Sequence, residues 1–229
     1  MTVQEIPGET TTPLDAARRD AVRERLVASI PWWYVPWVHL AAPSLFGIAL
    51  MVAAVLTVRD LHPLELLAVP FTFLLSNMTE WRAHKYLLHR RTKFFEVLFD
   101  RHTPEHHVVY IEEDMAMRSK QEYRLVLIPA FGIVAISIAT SPITAALWLA
   151  GQRNLAALFV VTTMFYVLSY EWLHLSYHLA PDSFIGRRSI IRKLRRHHAT
   201  HHRPELMQKW NFNVNVPLWD WVKGTIYKG

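Results

Sequence analysis

Residues 125–150 read LVLIPAFGIVAISIATSPITAALWLA, a run of 26 residues without a charged side chain. A helix needs about 20 apolar residues to cross the hydrocarbon core of a bilayer. A soluble domain of 229 residues has too small an interior to bury so long an apolar segment easily. This stretch therefore predicts a membrane-spanning helix, and it argues against a soluble all-α protein.

Three further apolar stretches extend the pattern. Residues 38–58 contain one ionisable group, His39, and residues 63–79 follow after a break of four residues. Residues 155–170 follow residues 125–150 after a similar break, and both shorter stretches can be lengthened by the helix that comes next. We therefore predict an all-α integral membrane protein with four transmembrane helices in two hairpins, each closed by a tight turn.

The positions of the basic residues test this topology. If both tight turns face outward, only Arg59 and Arg153 of the 25 Lys and Arg side chains lie outside, and the other 23 lie inside. Such an asymmetry follows the positive-inside rule and also accounts for the net charge of +6, so no nucleic-acid partner is expected. We expect a multi-pass protein of the inner (cytoplasmic) membrane in a prokaryote, or of the endoplasmic reticulum in a eukaryote.

The histidines are concentrated in four short windows, which hold 11 of the 13 in the chain. Their spacings are HX4H, HX3HH, HX3H and HX2HH, and the predicted topology places all four boxes on the same, cytosolic, side of the membrane. Because the chain has no cysteine, a redox metal must be held by His, Asp or Glu. Ten imidazoles suit two metals with about five nitrogens each and leave His197 spare; the ten are His84, His89, His102, His106, His107, His174, His178, His198, His201 and His202.

Helical geometry predicts how some of these imidazoles pair. His174 and His178 lie four residues apart, so both can point at one ion from the same helix face. His84 and His89 lie five apart, and their directions on an α-helix diverge by about 140°. We therefore expect these two to serve neighbouring metals, or to bracket one cluster, rather than to chelate one ion as a pair.

The second box contains Pro104, which together with Thr103 predicts a fresh helix start and places His102 just before it. The letters HTPEH also match an inverted zinc-protease motif, in which His102 and His106 would share an unbroken helix. Pro104 argues against that motif, and the other boxes are unexplained by it. Structural zinc is a second alternative, although such a site needs only four ligands.

Residues 1–36 form a separate N-terminal segment ahead of a membrane domain spanning residues 37–229. A helix is predicted with Thr12 as its N-cap and Pro13 in its first turn. It either lies at the membrane surface or packs on the domain, and the apolar residues expected along one face are Leu14, Ala17, Ala21 and Leu26. The following PWWYVPW, residues 31–37, is typical of an interfacial aromatic belt.

From about Glu80 to Gly229 the chain resembles the fatty acid hydroxylase/sterol desaturase superfamily of membrane di-iron enzymes. The resemblance rests on the ordered boxes and on three stretches similar to the fatty acid 2-hydroxylase branch: YRLV at 123–126, YEWLH at 170–174, and WNFN at 210–213 with PLWD at 217–220. It implies four transmembrane helices capped by a cytosolic helical domain that carries the metal site. It also implies the same ten histidine ligands and two iron ions, which zinc can replace during purification. Residues 111–122 are longer than usual for the family.

The resemblance implies an O2-dependent hydroxylase that oxidises a C–H bond of a fatty acyl or other lipid chain taken from the bilayer. His62-Pro63 lacks the glycines of a cytochrome b5 haem motif, so we expect a separate electron donor: a ferredoxin, a rubredoxin or a cytochrome b5-like protein. Alternatives on the same metal core are a lipid or sterol desaturase, a sterol-methyl oxidase and a carotenoid hydroxylase. A His-rich metal transporter is an alternative of a different class.

Side chains around the boxes are expected to fix the imidazole tautomers. The candidates for this supporting role are Glu80, Glu171, Asn211, Asn213 and Asp220. Beyond the metal ligands, the sequence identifies no catalytic residue.

Overall fold

A computed structural model describes residues 14–229, and this part of the chain is helical with no strand. In chain order the α-helices are α1 (Ala16–Ala28), α2 (Pro36–Val55), α3 (Ala68–Ala83), α4 (Glu96–Arg101), α5 (His107–Val109), α6 (Tyr123–Val126), α7 (Gly132–Leu149), α8 (Arg153–Tyr177), α9 (Ser189–His201) and α10 (Leu218–Lys223).

Three helices, α2, α7 and α8, are long and apolar enough to cross a membrane. α7 is shorter than the apolar run that predicts it, because the chain leaves helical geometry at Leu127, two residues before Pro129. Proline lacks an N–H and disfavours helix in the residue before it, so α6 and α7 are separate. α8 instead continues beyond its apolar stretch into the third histidine box, as expected.

The second apolar stretch forms a 3₁₀ turn, Pro63–Leu67, followed by α3. α3 alone has 16 residues and is shorter than a typical span. The structure therefore shows three candidate membrane helices, and the fourth span stays a prediction.

α8 is the central helix of the bundle, since α2, α3 and α7 all pack against it. α2 and α3, the two helices of the first predicted hairpin, make few contacts with each other. Each packs on α8 instead, so they are not a pair of directly packed helices. Gly47 allows the close approach of α2, because a methyl group there would lie 3.2 Å from Leu168.

Both connecting turns lie at the same end of the bundle. The backbone N–H of Arg59 donates to the side-chain oxygen of Asn154 at 3.0 Å, and the Asn154 amide donates back to the Arg59 carbonyl at 2.7 Å. The first histidine box follows the other end of α3, and the third lies at the other end of α8; the second and fourth boxes join them in the centre. The bundle thus holds the metal-binding residues at one end.

α1 packs on the domain, which is one of the two arrangements expected for it. It begins at Ala16 with Asp15 as N-cap; the predicted start at Thr12 and Pro13 lies outside the described residues. The predicted apolar face is wrong at Ala17 and Ala21, which are exposed. The packed face instead carries Val22, Leu26 and Val27, with the buried Arg23 among them.

Candidate metal centre

The structure brings the ten predicted ligands together in two groups of five. Group one is His84, His89, His102, His107 and His201, and group two is His106, His174, His178, His198 and His202. Within each group the candidate ligand nitrogens lie within 4.8 Å of one another, and all ten side chains are buried. The expected division of about five nitrogens per metal is present in the fold.

Neighbouring residues join the two groups. His106 and His107 are consecutive yet belong to different groups, and so are His201 and His202. The rings of His107 and His202 stack across the boundary, with centroids 4.2 Å apart. The two groups are therefore one centre with two halves.

A π-helical turn, His84–Leu88, places both histidines of the first box in group one. The His89 N–H donates to the His84 carbonyl at 3.2 Å, across five residues, and the two rings stack with centroids 5.0 Å apart. The expectation that His84 and His89 point apart is wrong, because it assumed α-helical geometry. A π-turn has more residues per turn, so positions five apart share a face.

A second π-turn, His102–His106, has the same effect in the second box. The His107 N–H donates to the His102 carbonyl, and both residues belong to group one. The predicted helix start at Pro104 is wrong, since α4 runs directly into the π-turn and the proline is absorbed within it. The zinc-protease alternative fails here, because His102 and His106 fall in different groups.

α8 and α9 supply the remaining ligands in the register that their spacing predicts. His174 and His178 both belong to group two, and their ring centroids are 5.0 Å apart. On α9, His198 and His202 join group two, whereas His201 reaches group one. Four residues therefore separate each pair that shares a group on these helices.

Backbone carbonyls fix the orientation of five imidazoles. The Nδ1 atoms of His106 and His178 lie 2.9 and 2.8 Å from the carbonyls of Leu125 and Met115. Corresponding contacts join His84 to Phe212, His201 to Trp210 at 2.8 Å and His202 to Tyr110 at 2.6 Å. A carbonyl can only accept, so these partners assign the proton to Nδ1 and leave each Nε2 lone pair free for a metal.

The Nε2 atoms converge, and their spacing fits shared ions. In group one, His102 Nε2 lies 3.0 Å from Nε2 of both His84 and His107. In group two, Nε2 of His202 and His198 are also 3.0 Å apart. Imidazole nitrogens bound to one divalent metal at about 2.1 Å and at right angles would be about 3.0 Å apart.

Several buried ring nitrogens lack a partner within residues 14–229. They are Nε2 of His106 and His178, both ring nitrogens of His174, and Nδ1 of His107 and His198. Buried polar atoms are nearly always satisfied in folded proteins, so these nitrogens mark the place of a missing group. The unpartnered Nε2 atoms of His106, His174 and His178 all belong to group two, where a metal ion would satisfy them.

Burial also keeps the ligands neutral. It lowers the pKa of His202 to about 3. It lowers the pKa well below the usual range for His89, His102, His106, His107, His178, His198 and His201. Neutral imidazole is the form that binds metals, so the centre needs no deprotonation at neutral pH.

The five side chains expected to contact the imidazoles act on the backbone instead; none hydrogen-bonds to a ring of either group in the described chain. Asp220 accepts from the N–H groups of Phe212 and Asn213 at 3.0 and 2.8 Å, and from the Trp81 indole at 3.1 Å. Burial raises the pKa of Asp220, but hydrogen bonds from His197, Thr225 and the backbone together lower it below its usual value.

The other four supporting residues act in a similar way. Glu80 accepts from the N–H groups of residues 214 and 215, and Glu171 accepts from the N–H of Ile128. Asn213 and Asn211 hydrogen-bond to backbone carbonyls of Asn77 and His197. Most of these contacts hold residues 210–215, the segment whose carbonyls orient His84 and His201.

The carbonyls that accept hydrogen bonds from the Nδ1 atoms were not predicted from the sequence, because a backbone carbonyl has no residue-type signature. The motif positions held a signal nonetheless, since YRLV contains Leu125 and WNFN contains Trp210 and Phe212. His197 lies outside both groups, 3.3 Å from Asp220, as the ligand count predicts.

The family model described as "Fatty acid hydroxylase" matches residues 69–225. This chain belongs to the fatty acid hydroxylase family. The match includes all ten histidines of the two groups, and it confirms the resemblance at the level of the superfamily without specifying a branch. A search of curated proteins and a search of solved structures each found no match.

Proposed function

We propose that this fatty acid hydroxylase family member is a membrane di-iron oxygenase that hydroxylates a C–H bond of a fatty acyl or other lipid chain, using O2 and externally supplied electrons. The observation that carries the proposal is the pair of buried five-imidazole groups, each with converging nitrogens. Family membership supports the oxidoreductase class, and the donor set supports two metal ions.

Iron is the metal that we propose, because the reaction needs redox chemistry that zinc cannot supply. A structural zinc needs four ligands, whereas each group here offers five. Bound iron would supply O2 activation, and the chain's own residues do the rest. They hold ten imidazoles in fixed orientations, keep them neutral and exclude bulk water from the centre.

We propose that the chain crosses the membrane four times, with the turns outside and the metal centre on the cytosolic side. The 3₁₀ turn 63–67 and α3 together are about 34 Å long, which matches a hydrocarbon core of about 30 Å. The contact between Arg59 and Asn154 supports a shared outer end for both turns. The excess of basic residues at the other end supports its cytosolic location.

Substrate and electrons would reach the centre from different directions. The groups sit at the ends of α3 and α8, where a lipid chain lying between the helices can approach them from the bilayer. The basic stretch 187–203 offers a positive surface to a separate electron donor, for which we propose a ferredoxin, a rubredoxin or a cytochrome b5-like protein.

The structure argues against the metal transporter, but it does not distinguish between the enzymes that share this metal core. A desaturase, a sterol-methyl oxidase or a carotenoid hydroxylase would use the same metal core, so the nature of the product must decide. A metal transporter would need ionisable side chains at mid-membrane depth. The described part of the chain places its histidine groups at helix ends, and α7 contains no charged residue.

Expression in a lipid-producing host, followed by mass spectrometry of total lipids, tests the proposal. We expect lipids that gain one oxygen atom, and loss of this product in His174→Ala. His62→Ala is the matched control, because His62 is exposed in the outer turn and should leave the product unchanged. Lipids that instead lose two hydrogen atoms would indicate a desaturase, and one metal ion or fewer in fully loaded protein would refute the dinuclear centre.

A further inference from the structure

The N-terminal helix α1 inserts a buried arginine into the segment that follows the second histidine box. Arg23 is 3% exposed, and its guanidinium donates to the carbonyls of Val109 at 3.3 Å and Ala116 at 3.4 Å. It also donates to the Asp114 carboxylate at 3.4 Å. One side chain thus ties both arms of the 109–116 loop together.

Arg23 also faces an acidic and aromatic pair in the same segment. The Glu122 carboxylate lies 3.9 Å from the guanidinium. The same carboxylate accepts a hydrogen bond from the Tyr110 hydroxyl at 2.8 Å. The guanidinium carbon sits 5.3 Å from the centre of the Tyr110 ring. Tyr110 is therefore fixed by two contacts: its hydroxyl bonds to Glu122, and its ring packs against Arg23.

This segment supplies two of the three carbonyls that orient group two; the third, from Leu125, orients His106. The Tyr110 carbonyl accepts from His202 and the Met115 carbonyl accepts from His178. The Met117 N–H also donates to the His178 carbonyl at 2.8 Å. The carbonyls that orient group one come from Trp210 and Phe212, which Arg23 does not contact within the described chain.

We propose that Arg23 is a positioning residue for group two, acting through the Tyr110 and Met115 carbonyls, so that α1 is an integral part of the metal centre. The inference rests on the proposed metal binding. It goes beyond the family, because the family match starts at residue 69 and α1 lies outside it. It also gives a role to residues 109–122, which hold the groups that Arg23 contacts.

Arginine suits this position because its planar fork offers several donors in fixed directions. A lysine has a single ammonium group and can hold only part of the loop. Loss of a residue that supports metal ligands typically weakens metal binding about 10- to 100-fold. We expect that loss for group two alone in Arg23→Gln, and a smaller loss in Arg23→Lys.

The experiment measures binding of Fe²⁺ under anaerobic conditions, and of Co²⁺ by absorption, to each group separately. His84→Ala/His89→Ala protein leaves group two intact, and His174→Ala/His178→Ala protein leaves group one intact. Arg23→Gln is introduced into both. Asp20→Asn is the matched control, since it breaks an exposed ion pair between α1 and Arg118 and leaves Arg23 untouched.

Weakened binding by group two with unchanged binding by group one would support the inference, provided that Asp20→Asn changes neither. Equal weakening of both groups would show a general loss of stability and overturn it, as would unchanged binding by group two. If Arg23→Gln fails to fold, Arg23→Lys carries the same comparison. If neither group binds metal with Arg23 present, the metal centre itself is wrong, which is a separate result.

Discussion

Asp220→Asn is expected to loosen group one while leaving group two intact. Asp220 is fully buried, and its two oxygens receive hydrogen bonds from two backbone N–H groups, the Trp81 indole, Thr225 and His197. Its backbone partners, Phe212 and Asn213, belong to the segment that orients His84 and His201. The substitution keeps the size of the side chain and turns one acceptor oxygen into a donor.

The structure sets the size of the effect. The asparagine side chain has only one acceptor oxygen. If that oxygen faces the Phe212 N–H, the new amide group faces the Asn213 N–H, so at least one buried donor loses its acceptor. That loss costs about 1–3 kcal/mol of unfolding free energy. Asp220→Ala would leave two backbone N–H groups without an acceptor, while the Trp81 N–H keeps the Thr225 hydroxyl. That loss costs about 2–6 kcal/mol, a large part of the stability of a typical domain. The asparagine variant should therefore fold and report on the metal.

The assay is metal titration of Asp220→Asn in two proteins, one with His84→Ala/His89→Ala and one with His174→Ala/His178→Ala, so that each group is measured alone. Thermal unfolding in detergent is measured on the same proteins. We expect Asp220→Asn to weaken Fe²⁺ binding by group one about 10- to 100-fold, because misplaced supporting groups have effects of this size. Binding by group two should stay unchanged, since its carbonyl partners lie in residues 110–125. Unchanged affinity in group one, or an equal loss in both groups, would refute the reasoning.

Three more predictions follow from the geometry. His198→Ala should lower the metal content below two ions per chain, whereas His197→Ala should keep both, because only His198 belongs to a group; elemental analysis of purified protein checks this. Metal-free protein should lose stability as the pH falls below about 6.5, since an opened state protonates imidazoles that the folded state keeps neutral. For His202, whose folded pKa is about 3, the loss is about 1.4 kcal/mol per pH unit between those values. Stability that rises on acidification would contradict it. Gly47→Leu should cost about 1–3 kcal/mol by forcing α2 away from Leu168 on α8, with Gly47→Ala costing less, as thermal unfolding in detergent would show.

The sequence predicts well whatever depends on side-chain type and spacing. Apolar length identifies α2, α7 and α8, and the boxes identify all ten residues that the fold assembles. The expectation of two metals with about five nitrogens each follows from counting alone, although the membership of each group does not. These features need no knowledge of the tertiary structure, because composition along the chain already carries them.

What the sequence hides are features of the backbone. The π-turns change which histidines pair, and they depend on one irregular hydrogen bond in each helix. The carbonyl partners of His106 and His178 are invisible to any analysis of residue types. The packed face of α1 differs from the predicted one because its centre is Arg23, a charged residue of a type that usually lies in solvent.

The π-turns also determine which kind of mutation can make or unmake this centre. A π-turn is in effect an α-helix with one residue inserted, so deleting one residue between His84 and His89 would restore ordinary helical phase. His89 would then lie four residues after His84, the spacing by which His174 and His178 share a helix face, so the pair could still point at one ion. Natural variation in such proteins could therefore combine a five-residue spacing with a π-turn, or a four-residue spacing with a regular α-turn, but not a five-residue spacing with an α-turn. A gap of one residue in an alignment there would indicate a change of helix geometry rather than the loss of a ligand.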